Sequence, residues 1–260
     1  MKMNLMFLSA GLMALSIAAP ASGADLGTRL YSKAPSMAAT VYDWSGLYVG
    51  INGGAGSSRD CFSNTAGESL GCHNATGGTI GGQIGYRWQA SNWVFGLEGQ
   101  GNWADFSGSH SQVDATNGDE LLIRSKADSF ALITAQLGYA FNNVLLYVKG
   151  GAAVVDNRFD MLAGSAGVGP YPAGTLIWSA NESRWGGTVG AGLEVGFAPN
   201  WSIGFEYNHM FLSGRDVSLA PTDIVIAHGG GTGVVRVKQD VDMGLVRLNY
   251  KFGGPVVARY

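Results

Sequence analysis

Charge, proline and cysteine are all scarce in this sequence, and each shortage excludes something. Only 13% of residues are charged, with 16 Lys and Arg against 19 Asp and Glu. The net charge is therefore −3, with no basic run, which excludes a nucleic-acid arm and a polybasic membrane patch. Seven prolines beside 41 glycines, with no G-X-Y period, exclude collagen and proline-rich linker. A hydrophobic share of 46% excludes disorder. After the first residues no stretch of eighteen apolar residues occurs, so no transmembrane helix is expected in the mature chain. An exported chain of this kind is then either a soluble protein outside the cytoplasm or a barrel.

Export is indicated by the start of the chain. Lys2 supplies a positive charge, Leu5 to Ala19 an apolar run, and Ala21, Ser22, Gly23 and Ala24 small residues for cleavage. The run is about 15 residues, short of the roughly 20 that a spanning helix needs. Residues 1–23 are therefore expected to be a signal peptide. Residues 24–43 contain Pro35 and no clear period, and are expected to form a periplasmic arm reaching about 60 Å if extended.

The rest of the chain alternates with period 2. From Trp185 to Phe197 one face carries Trp185, Val189, Ala191, Leu193, Val195 and Phe197, and the other carries Thr188, Glu194 and glycines. A helix would mix these two sets. Trp201, Ile203, Phe205 and Tyr207 repeat the pattern after Ala198-Pro199-Asn200, which marks a hairpin. The same reading predicts eight strands at about 44–56, 78–88, 93–104, 128–141, 144–155, 185–197, 201–212 and 237–252. Connections after the second, fourth and sixth strands are short; the others are long, polar and rich in Gly, Ser, Asn and Asp. That order fits an all-β, eight-stranded, antiparallel up-and-down transmembrane β-barrel over residues 44–252, with a tail at 253–260.

Charge and aromatic placement indicate lipid outside. The polar faces carry Arg87, Glu98, Lys149, Glu194, Glu206, Arg247 and Lys251, which would meet as ion pairs inside a narrow barrel. Trp44, Trp88, Trp93, Trp103, Trp185 and Trp201 fall at strand ends, where amphipathic rings form the girdles of a membrane barrel. A solvated face of a soluble sandwich is the competing explanation for the charges.

Several segments resemble a known family. Trp44-Ser45-Gly46-Leu47-Tyr48-Val49-Gly50, the run Gly77 to Tyr86, Leu137-Gly138-Tyr139-Ala140-Phe141, and the ending Asn249-Tyr250-Lys251-Phe252 are similar to the small alphaproteobacterial outer-membrane β-barrel proteins, called outer membrane immunogenic or porin-family proteins. The resemblance covers essentially the whole mature chain. It implies an eight-stranded barrel in a Gram-negative outer membrane, inserted by the barrel-assembly machinery, surrounded by lipid and lipopolysaccharide, and surface-exposed through its long loops. One departure is Gln136, where an inward Arg is expected. Some members of the family are tethered to peptidoglycan through a mature Ala-Asp terminus. Ala24-Asp25 matches that terminus if cleavage follows Gly23, with a plain leader as the alternative.

Cys61 and Cys72 both fall in the first long connection of an exported chain, and a disulfide is expected to restrain that loop. A zinc site using His73 lacks the paired ligand spacing. His110, His209 and His228 stand isolated and read as rim or surface residues. Gly229-Gly230-Gly231 is followed by no Lys-Ser/Thr in phosphate-loop spacing, and no helix is expected there. The carboxylates of Glu98, Glu194 and Glu206 have basic partners in the same interior, which favours structural pairing over acid–base catalysis. No enzyme activity, cofactor, metal or nucleic-acid partner is expected. The leading expectation is a structural, surface-exposed barrel that supports the envelope and displays its loops. The alternative is a narrow porin, and loop binding of a host molecule or haem is weaker still.

Overall fold

The computed structural model describes residues 42–63, 67, 69–113 and 118–253. The expected signal peptide, the arm up to residue 41, including Ala24 and Asp25, and the tail from 254 lie outside the described residues. Eight strands run in chain order: β1 Gly46–Ser63, β2 Ser69–Ala90, β3 Trp93–Val113, β4 Glu120–Phe141, β5 Val144–Ala163, β6 Leu176–Ala198, β7 Trp201–Pro221 and β8 Gly233–Lys251. Each pairs antiparallel with the next, and β1 pairs with β8 to close the barrel. Closure leaves no unpaired sheet edge at the ring level, the condition for a sheet to sit in lipid.

The turns at one end are tight. Ser91 and Asn142 open them with φ of 55° and 56°. The side-chain amides of Asn92 and Asn143 donate to the carbonyls of Ala140 (2.9 Å) and Gly196 (3.1 Å), tying each turn to the next hairpin.

The strands are longer than alternation alone indicated, and nearly all of the excess is at the other end. Most of what reads as long polar loop is strand, leaving connections at 64–68, 114–119, 164–175 and 222–232. The reason is an inversion of polarity along each strand. In the half nearest the tight turns, Ile51, Ile84, Ile133, Val148 and Phe205 point outward and are exposed, while Gln83, Glu98, Gln100 and Lys149 are buried inside. In the far half Phe62, Ile123, Phe159, Met161, Val217, Leu219 and Val237 point inward and are buried, while Arg124, Lys126, Arg158 and Lys238 face out.

Bulges accompany the inversion. In β4 the register shifts between Ala127 and Ser129, and in β7 between Leu212 and Arg215. Each reverses which parity points inward, from Ala127 to Phe130 and from Leu212 to Val217. A five-residue helix, α1 (Asp223–Ala227), lies in the β7–β8 connection, where no helix was expected. Its Val225 packs on Ala163 and Ile177 and caps the far end.

Trp44 also departs from expectation. It does not join an outer girdle but is buried inside the mouth at the tight-turn end, against Val94, Ala140, Leu145 and Tyr147. It packs on Tyr42, ring centroids 4.5 Å apart, and the Tyr42 ring lies against inward-facing Gly196, so residues 42–44 sit inside the mouth rather than along the wall.

Candidate functional site

The barrel interior is built from side chains that glycines on the same face make room for. A Cβ on Gly85 would lie 2.4 Å from the Tyr48 hydroxyl, and one on Gly192 would lie 2.5 Å from the Tyr147 ring. With glycine at both positions the two tyrosines lie flat across neighbouring strands. From there Tyr48 donates to Glu98 (2.6 Å) and Tyr147 to Glu206 (2.6 Å).

Around them six charges form two neutral groups. Arg87 holds Glu194 through both terminal nitrogens, at 3.1 and 2.8 Å. Asn249 (2.9 Å) and Ser202 donate to the same carboxylate. Lys149 bridges Glu98 (3.1 Å) and Glu206 (2.6 Å), and Arg247 bridges the same two acids. All six side chains are 4% exposed or less, so each depends on its partners rather than on water. Lys251, the seventh predicted interior charge, sits apart at the mouth, 3.5 Å from Asp43. Gln136 points inward, where an Arg was expected. Its carbonyl accepts from Arg87 Nε (3.4 Å) and its amide donates to Tyr48 (3.4 Å), so Arg87 on β2 supplies the guanidinium of this layer.

Toward the far end comes an apolar layer that includes Phe106, Phe130, Leu132, Met210, Met243 and Leu245. Above it lies a second polar layer that sequence reading missed. Asp60 accepts from Ser58 (2.9 Å) and Ser125 (2.6 Å), and His73 Nε2 meets Ser125 at 2.7 Å. Gln239 exchanges hydrogen bonds with Asn157 (2.9 and 3.1 Å), and Arg184 reaches the carbonyls of Ser213 (2.6 Å) and Val237 (2.8 Å). All of these residues except Gln239 and Val237 had been assigned to loops, and only inward positions on continuing strands would have revealed them. Burial holds the His73 imidazole below its ordinary value, opposed by the charge of nearby Asp60 and aided by that of His110. A second apolar layer, with Phe62, Ile123, Phe159 and Met161, closes the interior above.

Cys61 and Cys72 are joined, S–S 2.05 Å, as a directly paired position of β1 and β2. The bond staples two strands on their outer face, where a constraint within a free loop was expected. His73, adjacent in sequence, points to the opposite, inner face, beyond reach of a shared ligand set with the sulfurs. His110 also points inward. His209 faces out beside Asp242 (2.6 Å), and His228 caps α1 and contacts Tyr171.

The outer wall carries two aromatic rows. Trp88, Trp93, Phe141, Phe197, Trp201 and Phe252 are exposed near the tight turns, with Tyr139 and Tyr250 packed between them. Trp103, Trp185 and Phe211 form the second row. Ten residues separate Trp93 from Trp103. At about 3.3 Å per residue and a tilt near 40° this is about 25 Å, the height of the apolar band of a membrane barrel.

Comparison with known proteins agrees with this wall. The profile of the outer membrane protein beta-barrel domain matches residues 7–252. The chain is 29% identical over 214 residues to the 31 kDa outer-membrane immunogenic protein of Brucella melitensis, covering 78% of this chain and 86% of that protein. To the 25 kDa outer-membrane immunogenic protein of Brucella canis it is 25% identical over 219 residues, 84% of each. Among solved structures, the outer membrane protein OprG of Pseudomonas aeruginosa aligns with a TM-score of 0.47 at 14% identity, covering 81% of this chain and 97% of that one.

Proposed function

This chain belongs to the outer membrane protein β-barrel domain family and resides in a Gram-negative outer membrane, and from that premise we propose that it is a structural, surface-exposed barrel without steady conductance. The observation that carries the reading is the closed interior. Polar and apolar layers alternate from Trp44 to Val225, and the inward side chains that form them are buried. Eight strands enclose a space that side chains alone fill. The charged quartet and pair link β2, β3, β5, β6, β7 and β8 across the axis, so the barrel resists flattening under lateral pressure. No catalytic role belongs to this reading, since each interior carboxylate is engaged by cations and hydroxyls. The partners that go with it are lipid and lipopolysaccharide around the wall and the barrel-assembly machinery during insertion. Peptidoglycan joins them if Ala24 and Asp25 form a tether.

Single-channel recording of the refolded protein in a planar bilayer tests the reading. Rare or small openings are expected, because the apolar layer around Phe130 and Met210 offers a permeating ion no ligand. Stable, ion-selective conductance in the unmodified protein would establish the narrow porin instead.

A further inference from the structure

We infer that the extracellular half of the barrel is a clasp of two sheets that parts between β2 and β3 as the surroundings turn acid, with two histidines as its catch. It goes beyond the structural reading and does not depend on whether the barrel conducts. The ladder between β2 and β3 ends at Thr76–Ser107, although β2 extends to Ser69 and β3 to Val113. Between β6 and β7 the ladder lapses as well, over residues 180–185 of one strand and 213–219 of the other. The other six ladders persist through this height, bulges aside. Two four-stranded sheets result, β7–β8–β1–β2 and β3–β4–β5–β6. Phe62, Val217 and Val237 of the first pack with Ile123, Phe159 and Met161 of the second.

The two seams are closed differently. That between β6 and β7 is bounded above by the pairs Ser179–Ala220 and Trp178–Pro221, and Arg184 crosses it to the carbonyl of Ser213 (2.6 Å). That between β2 and β3 has no ladder pair above it among the described residues. It is filled instead by imidazoles packed on glycines of the opposite strand. A Cβ on Gly108 of β3 would lie 2.9 Å from the His73 ring, and one on Gly71 of β2 would lie 2.4 Å from His110 Nε2. His73 also reaches over to Ser125 on β4 (2.7 Å) and stacks on Phe62, ring centroids 5.6 Å apart. The bounded seam is thus the hinge, and the histidine seam is the edge that opens.

Protonation is what the shut seam resists. Ser125 donates its one proton to Asp60 (2.6 Å), so it accepts from His73 Nε2, and Nδ1 is left buried without a partner. A proton gained at Nδ1 has no acceptor while the seam is shut. The groups that face His73 are Asp60 from β1, Ser125 from β4 and His110 from β3. Asp60 is the one carboxylate acting on it among the described residues. That carboxylate already accepts from Ser58 (2.9 Å) and Ser125 and lies in the field of Arg184. Burial, opposed by Asp60 and aided by His110, therefore holds His73 below its ordinary value. The shut seam binds fewer protons than the parted one, so parting is favoured as pH falls.

The test uses the full mature chain in detergent micelles, with its native disulfide and one added cysteine behind the seam, Ile123→Cys, or Phe159→Cys as a second reporter. Its rate of reaction with a methanethiosulfonate reagent is divided by that of the exposed Ser218→Cys at the same pH, which removes the pH dependence of the thiol itself. From pH 7.5 to 5 the ratio should rise by up to about thirtyfold from His73 alone, the factor for an imidazole that titrates near 6.5 once the seam is open. His73→Gln should take away that factor, and His110→Gln added to it should remove any rise that is left. Met210→Cys, in the apolar layer below, should stay unreactive at both pH values. Compact migration in detergent checks the folding of each variant. An unchanged ratio at pH 5, a rise kept in full by His73→Gln, or one that survives the double variant would overturn the inference. So would equal labelling of Met210→Cys at pH 5, which would mean that acid loosens the whole barrel and not this seam.

Discussion

Glu206→Gln is the most informative single change in the interior. Glu206 accepts from Lys149 (2.6 Å), Tyr147 (2.6 Å), Asn208 (2.8 Å) and Arg247. Without its charge, the quartet of Glu98, Glu206, Lys149 and Arg247 becomes +1 in a site that water does not reach. Two unit charges about 4 Å apart interact by about 4 kcal/mol at an effective dielectric near 20. Removing one member of a buried pair typically costs about 3–5 kcal/mol, because the other is left uncompensated. Glu206→Gln should therefore destabilise the barrel by about that amount, and Lys149→Met, which leaves −1, by a similar amount. The double variant restores neutrality and keeps the Glu98–Arg247 pair. Its cost should fall below the sum of the singles by up to about 3 kcal/mol, the upper end of the coupling that contacting residues show. Urea unfolding from phospholipid vesicles, followed by tryptophan fluorescence with compact migration in detergent as a folding check, measures all three. Additivity within about 0.5 kcal/mol would mean that the charges act independently in a wet interior, and the layer argument would fail.

Leu193→Arg places a charge on the lipid face of β6 and should cost about 2–4 kcal/mol near the midplane, whereas Ser109→Arg on the wetted upper wall should cost close to nothing; equal penalties in vesicle refolding would mean that the apolar band is misplaced. His73 has a folded pKa below its unfolded value of about 6.5, so its stabilising contribution is present above that pH and is lost as pH falls through the folded value. Hydrogen-exchange protection factors, taken relative to the intrinsic rate at each pH, should fall in the far half of β1, β2 and β4 on going from pH 7.5 to 5, and His73→Gln should flatten that response; an unchanged response in the variant would assign it to another group. Reduction of Cys61–Cys72 should leave compact migration intact, since the ladder already pairs these positions and the ideal gain of up to about 3 kcal/mol for so short a loop is not fully realised. Loss of compact migration on reduction would show instead that the staple holds the barrel.

Within each membrane-spanning segment the sequence determined nearly everything by itself. The side-chain period of a strand is local, so Leu193 outward and Glu194 inward follow from neighbours along the chain, as do the alternating short and long connections. The identity of the interior charges was legible for the same reason, because lipid outside forces polar groups to one face. Only the tertiary structure decided which charges meet: Arg87 and Glu194 are 107 residues apart, and the stagger of a closed ring sets their encounter. It also decided where the strands end. Above the second aromatic row the surroundings change from lipid to water, so the same pleated strand reverses its faces, and the bulges in β4 and β7 shift its phase at that level. Read one segment at a time, Ile123 to Ala127 looks like part of an irregular polar loop. Ile123 and Ser125 are recognisably interior only once β3 and β5 lie on either side to hold the strand in register. Trp44 fell to the same limit, because whether a ring at a strand end faces lipid or plugs the mouth depends on which side of the wall residues 42–44 lie, which no local pattern encodes.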